Sequence, residues 1–282
     1  MKSIKVHHRL PRNFHKTFIP ERQYIHAILR FAASGKSGTY QEIAEITSIP
    51  MGKSSGKVPA ILDYCRGMGL IRLVGNARSA TKQPELTPFG RIVFLEDSHL
   101  KERVTQWIAH LNLCGRLTGA DAWYQTFFAG LQVLGMRFTR SILEEHLSLV
   151  YSTDRKGIIG PLIRMYEDDA AFRACGALAE EGNIVERRAA PIGEEFGFAY
   201  GAWVLQLISD YFPKASQVTL TDLDHKAGWR SIPGWNIEES QRAVGLLDRK
   251  GLVEVDRQMN PWIIRPRSAP VETWKRIYDD LL

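Results

Sequence analysis

Gly52-Lys53-Ser54-Ser55-Gly56-Lys57 places two ammonium groups, two hydroxyls and two glycines within six residues, a composition suited to holding a phosphate. The nucleotide-binding P-loop requires four residues between its glycines and a Ser or Thr after the lysine. Here three intervene, Val58 follows, and no apolar strand precedes the run. A nucleotide cofactor is therefore not indicated. The same residues read better as the start of a helix. Ser54 or Ser55 serves as the cap, and Val58, Ile61, Leu62 and Cys65 follow at i, i+3, i+4 and i+7. Free N–H groups at such a start attract phosphate oxygens, and a recognition helix contacts DNA with its first turns. Lys53, Ser54, Ser55 and Lys57 are thus candidate DNA contacts, and Arg72, Asn76, Arg78 and Lys82 in the following strand and loop add backbone or minor-groove contacts.

Phosphodiester hydrolysis would call for carboxylates clustered around a divalent metal. Candidates are Glu167-Asp168-Asp169, Glu180-Glu181 with Glu186, Glu194-Glu195, and Asp222 with Asp224 and His225. None has a nuclease spacing, and each pair also suits a helix start or a solvated face. The eight histidines include no i, i+4 pair accompanied by a third ligand, and Cys65, Cys114 and Cys175 are isolated. Zinc is not indicated, and buried thiols are the reading of the cysteines. Tyr151 and Tyr200 could attack a phosphodiester, but the sequence gives neither an activating partner.

The elements that must position these groups follow from spacing. Tyr24, Ile25, Ile28, Leu29 and Ala32 predict a helix over 21–34, and Thr39 with Glu42 makes a capping box for the next helix. The helix after Met51 ends near Gly67 or Gly69; Leu70–Val74 reads as a strand, the polar loop 75–84 follows, and 85–90 returns. Helix, helix, turn, helix, hairpin is the order of a winged helix-turn-helix. A second copy is predicted near the end. Asn236 with Glu239 caps a helix bearing Ala243, Leu246 and Leu247, the strand Gly251–Val255 follows, and Asn260-Pro261 turns into Trp262–Ile264. Between the copies the pattern is helical over 101–113, 122–134, 141–151, 157–166 and 197–212, with 182–187 as strand or loop.

Of 282 residues 44% are hydrophobic and 24% charged, which excludes a disordered chain. No apolar run reaches membrane-spanning length and no signal core follows the first charges, so a cytoplasmic location is expected. The net charge of +6 is unevenly spread. Residues 1–90 hold 14 basic and 5 acidic side chains, a net +9, whereas 91–282 hold 23 and 26, a net −3. A localised basic excess points to a nucleic-acid partner for the first third. In the second copy Glu238 and Glu239 stand where the first has lysine and serine, which favours a protein contact there, with Arg242, Arg249, Lys250 and Arg257 leaving a weaker DNA option.

Phe14-His15-Lys16-Thr17-Phe18, the stretch from Met51-Gly52-Lys53 to Gly69-Leu70-Ile71, Leu86-Thr87-Pro88-Phe89-Gly90, and Trp107–Leu113 followed by Trp123 resemble a bacterial domain-of-unknown-function family associated with DNA phosphorothioation. In that modification sulfur replaces a non-bridging phosphate oxygen. The resemblance implies a component of a single-strand phosphorothioation and antiphage defence system that binds DNA and nicks one strand, with Mg²⁺ or Mn²⁺ as the expected metal. It implies as partners a cysteine desulfurase, an ATPase and a protein like phosphoadenosine-phosphosulfate reductase. It assigns no catalytic residue. His15, Lys53, His110 and Asn112 fall at recurring family positions, and His110 and Asn112 are equally suited to satisfying buried polar groups.

The expected fold is mainly α with small β-hairpin wings: an arm and winged helix-turn-helix at 1–97, a helical scaffold at 98–213 and a second winged-helix-like unit at 214–282. The alternative function is a non-enzymatic winged-helix DNA-binding adaptor or transcription regulator.

Overall fold

The computed structural model describes residues 9–51, 56–75, 79–152 and 156–281. Its first elements are α1 (Arg22–Ala33), α2 (Tyr40–Thr47), α3 (Lys57–Gly67), β1 (Ile71–Val74), β2 (Gln83–Leu86), α4 (Pro88–Glu96) and α5 (Arg103–Leu113). The middle holds α6 (Asp121–Tyr124), a π-helical turn (Gln125–Ala129), α7 (Leu131–Leu134), β3 (Arg137–Thr139), α8 (Arg140–Tyr151), α9 (Lys156–Arg164), β4 (Leu178–Glu181) and β5 (Ile184–Arg187). Then follow α10 (Gly197–Tyr211), β6 (Val218–Thr219), α11 (Leu220–Ala227), α12 (Ile237–Arg249), β7 (Val253–Asp256), β8 (Ile263–Pro266) and α13 (Pro270–Trp274).

One topology recurs three times. A short extended segment precedes two helices and a hairpin, then pairs antiparallel with the hairpin's second strand. Gly38 bridges Lys82 at the start of β2, β3 pairs with β5, and β6 pairs with β8. The complete sheets run β3-β5-β4 and β6-β8-β7. Cap chemistry repeats as well. Thr39, Thr139 and Thr219 each accept a backbone N–H three residues on, and the first helix of each copy ends at a left-handed residue, Ser48, Ser152 and Gly228.

The middle segment, read from sequence as helices, therefore contains a third copy with its own sheet, and residues 184–187 are strand. Two further differences are local. The N-cap of α3 is Gly56, which supplies no side-chain cap, rather than a serine. The return after β2 becomes α4 at once, because Thr87 caps it and Pro88 occupies its first position.

The apolar faces predicted for α1 to α3 are the ones buried: Ile25, Ile28, Leu29, Ile43, Val58, Ile61, Leu62 and Cys65. That core continues without a break into the rest of the chain. α10 is apolar all round, from Gly197 to Leu205, and is correspondingly buried against α5, α11, α12 and α13. A Cβ at Gly90 would overlap the Leu70 carbonyl oxygen, so α4 can lie on the end of α3 only with glycine there. The arm is docked: Leu10 N–H donates to Gly119 O (2.8 Å) and Asp121 N–H to Leu10 O (3.1 Å). No helix among the described residues is long and apolar enough to cross a membrane.

Candidate nucleic-acid interface

The start of α3 is a pinched neck. Lys57 N–H faces Pro50 O at 3.4 Å, and a Cβ at Gly56, whose φ is +68°, would strike the Met51 backbone. Lys53, Ser54 and Ser55 fall between these two strands of the neck in sequence, outside the described residues, as do Asn76 and Arg78 of the second loop.

Of the eight predicted contacts the remaining three are described, and all three are engaged internally. Lys57 is 16% exposed; its ammonium pairs with Glu21 at 2.6 Å and lies 4.4 Å over the Tyr24 ring. It ties α3 to α1 and is not a free phosphate ligand. Lys82 is buried, donates to Ser79 O at 2.6 Å and sits over Tyr40, where it holds the Gly38 bridge. Arg72, 70% exposed, is paired across the hairpin with Glu85 at 2.8 Å. The described part of this unit therefore presents less free positive charge than its composition suggests.

The third copy is neutralised in the same way. Arg249 pairs with Glu194 (2.9 Å), Lys250 with Asp280 (2.9 Å) and Arg257 with Asp248 (2.8 Å). Asn236 and Glu239 form the predicted capping box.

The acidic clusters are likewise committed. Asp169 pairs with Arg173, Glu180 with Arg140, and Asp222 with the Thr219 hydroxyl. Asp224 accepts Arg230 N–H, Ser231 N–H and the Ser231 hydroxyl, fixing the turn after α11. Among the described residues no three His, Cys, Asp or Glu side chains come together to hold a metal ion, so they do not fit a resident divalent cation.

The residues singled out by resemblance serve the interior. His15 is enclosed by Phe14, Tyr64 and Trp123, and its Nδ1 meets Lys16 O at 2.9 Å, where it donates. Burial lowers its pKa to about 4. His110 meets the Tyr166 hydroxyl at 2.7 Å, and burial, with Arg187 nearby, lowers its pKa to about 3. Asn112 donates to Met68 O at the end of α3 (3.0 Å). Burial pushes all three cysteine thiols up, leaving them inert. Tyr200 is fully buried and donates to Pro191 O, out of reach of DNA.

Tyr151 does have a partner that sequence spacing did not reveal. Its hydroxyl donates to Asp121 Oδ2 at 2.7 Å, and burial together with that carboxylate pushes the phenol up, so it stays protonated. Arg9 pairs with the other oxygen, Oδ1, at 2.8 Å. The only sequence signal of this cluster was the basic character of the arm.

No protein-family model matches the chain, and neither does any curated protein sequence. Solved structures do. A magnesium ion-bound SspB crystal structure aligns with TM-score 0.69 at 15% identity, covering 95% of this chain and 88% of its own. The chain has the fold of SspB. A second SspB crystal structure gives TM-score 0.68 with the same identity and coverage. SspB thus shares the whole architecture, arm and three copies included, while 85% of aligned positions differ, so the likeness lies in the backbone path and the packing pattern.

Proposed function

We propose that this protein is a DNA-binding component of a DNA phosphorothioation system and that its first unit makes the principal DNA contact through Lys53, Ser54, Ser55, Asn76 and Arg78. The observation that carries the reading is the SspB fold over 95% of the chain, joined to a family resemblance read independently from sequence motifs. The net +9 of residues 1–90 supports it. So does the helix-helix-hairpin order, in which the uncapped start of α3 leaves N–H groups for phosphate oxygens. Other proteins of the system, including a cysteine desulfurase, an ATPase and a reductase-like protein, are the proposed partners.

Gel shifts across a salt series test the binding. Replacing Lys53 and Arg78 together by alanine is expected to flatten the log–log salt slope on duplex DNA by about 1.8; an unchanged slope moves the contact elsewhere. Strand nicking is the activity proposed with it. Supercoiled plasmid incubated with Mg²⁺ or Mn²⁺ should yield the nicked circle, and plasmid that stays supercoiled refutes it. A non-enzymatic adaptor is the second reading, favoured by one observation: no carboxylate trio converges among the described residues. The plasmid assay separates the two.

A further inference from the structure

Where the arm docks on the middle copy, a cleft of about 530 Å³ opens, lined by Arg9, Arg12, Asn13, Arg116, Asp121 and Tyr151. The arm is fixed there by its two backbone hydrogen bonds and by the buried Leu10 side chain. Arg9 donates through Nε to Asp121 and through Nη1 to Arg116 O (3.0 Å), with its guanidinium 4.0 Å over the Tyr124 ring. Arg12 lies over the Tyr151 ring at 5.3 Å. Among the described residues the side chains of Arg12 and Arg116 make no hydrogen bond or ion pair. Three guanidiniums thus face one carboxylate, whose two oxygens are already taken by Arg9 and Tyr151.

Each guanidinium carries five donors in a planar fork that matches the paired oxygens of a phosphodiester. Here ring stacking and the docked backbone hold two of the forks in place before any ligand arrives, which lowers the ordering cost of binding. The rings of Tyr124 and Tyr151 are already covered by Arg9 and Arg12, so they are not open faces for stacking bases. We infer that this cleft binds a backbone phosphate of DNA, as a second contact apart from the first unit, and that it reads charge rather than sequence. The inference rests on the DNA-binding reading and adds a site to it.

The test uses the full chain, the double variant Arg12→Ala/Arg116→Ala, and fluorescein-labelled single-stranded and duplex oligonucleotides of several sequences followed by anisotropy from low to moderate salt. Both substitutions spare the Arg9–Asp121 pair, and thermal melting confirms that the variant folds. The expected result is a slope shallower by about 1.4 on single strands and about 1.8 on duplex, with affinity at least tenfold weaker at low salt for every sequence. A variant that matches the parent in affinity and slope, while the Lys53/Arg78 variant is weakened, overturns the cleft and leaves the DNA reading standing. If the parent binds no DNA, the DNA reading falls, and inorganic phosphate judges the cleft alone. A phosphate-dependent rise in Tm in the parent and not in the variant supports an anion site; equal responses overturn it.

Discussion

His15 makes stability depend on pH in a calculable way. It is fully buried among three aromatic rings, its Nδ1–H is bonded to Lys16 O, and its Nε2 has no partner among the described residues. Protonation would put a charge where neither water nor a carboxylate can meet it, and the pKa falls from 6.5 to about 4. A base with a depressed folded pKa stabilises the fold fully above the unfolded pKa of 6.5. That contribution is lost as pH falls toward 4, because the unfolded chain then binds the extra proton. At about 1.4 kcal/mol per pH unit, a fall to pH 5 costs about 2 kcal/mol for His15 and about 2 kcal/mol for His110, whose folded pKa is about 3. Urea unfolding at pH 7.5 and pH 5 should show the full chain losing about 4 kcal/mol from the pair. His15→Phe keeps the ring packing, removes one titration, and should lose only about 2 kcal/mol over the same range. Equal losses in parent and variant would refute the argument.

Other outcomes follow from particular contacts. Lys57→Met should lower stability by about 1 kcal/mol through loss of the Glu21 pair, yet leave the salt slope of DNA binding unchanged; a slope change would restore Lys57 as a phosphate ligand. Gly90→Ala, which drives a methyl into Leu70 O, should cost about 3 kcal/mol in chemical denaturation, and a neutral result would mean α4 is free to shift. Thr39→Ala and Thr219→Ala should each cost about 1 kcal/mol and sum in the double variant, since the two caps share no partner.

Periodicity made the first and third copies legible. The spacing of Ile25, Ile28 and Leu29, the Thr39–Glu42 box and the Asn236–Glu239 box are local signals, and local energetics honour them. The middle copy was hidden because its strands are three or four residues long and rich in charge: Arg137, Glu180, Glu181 and Glu186 sit on the sheet, where Arg137 pairs with Glu186 across β3 and β5. Such strands show no apolar alternation to read. The engagement of Lys57 and Lys82 was equally invisible, since Glu21 lies 36 positions from Lys57, and charge counting does not distinguish a solvated ammonium from a neutralised one. Arg9 and Asp121 are 112 positions apart, so only the fold brings their cleft into being.

The packing of α13 has a consequence for how the chain is made. Trp274 stacks beside Phe89 of α4 at 5.0 Å, and the Tyr278 hydroxyl meets Thr105 at 2.6 Å, while α13 also covers α10. During synthesis α4 and α10 emerge well before their cover does. Until the ribosome has delivered residues 270–278, those apolar faces stay open to solvent, to chaperones and to other nascent chains. Premature termination anywhere in this stretch would therefore damage the first unit as much as the last, and production of this protein should depend on chaperone supply more than its individual helices suggest.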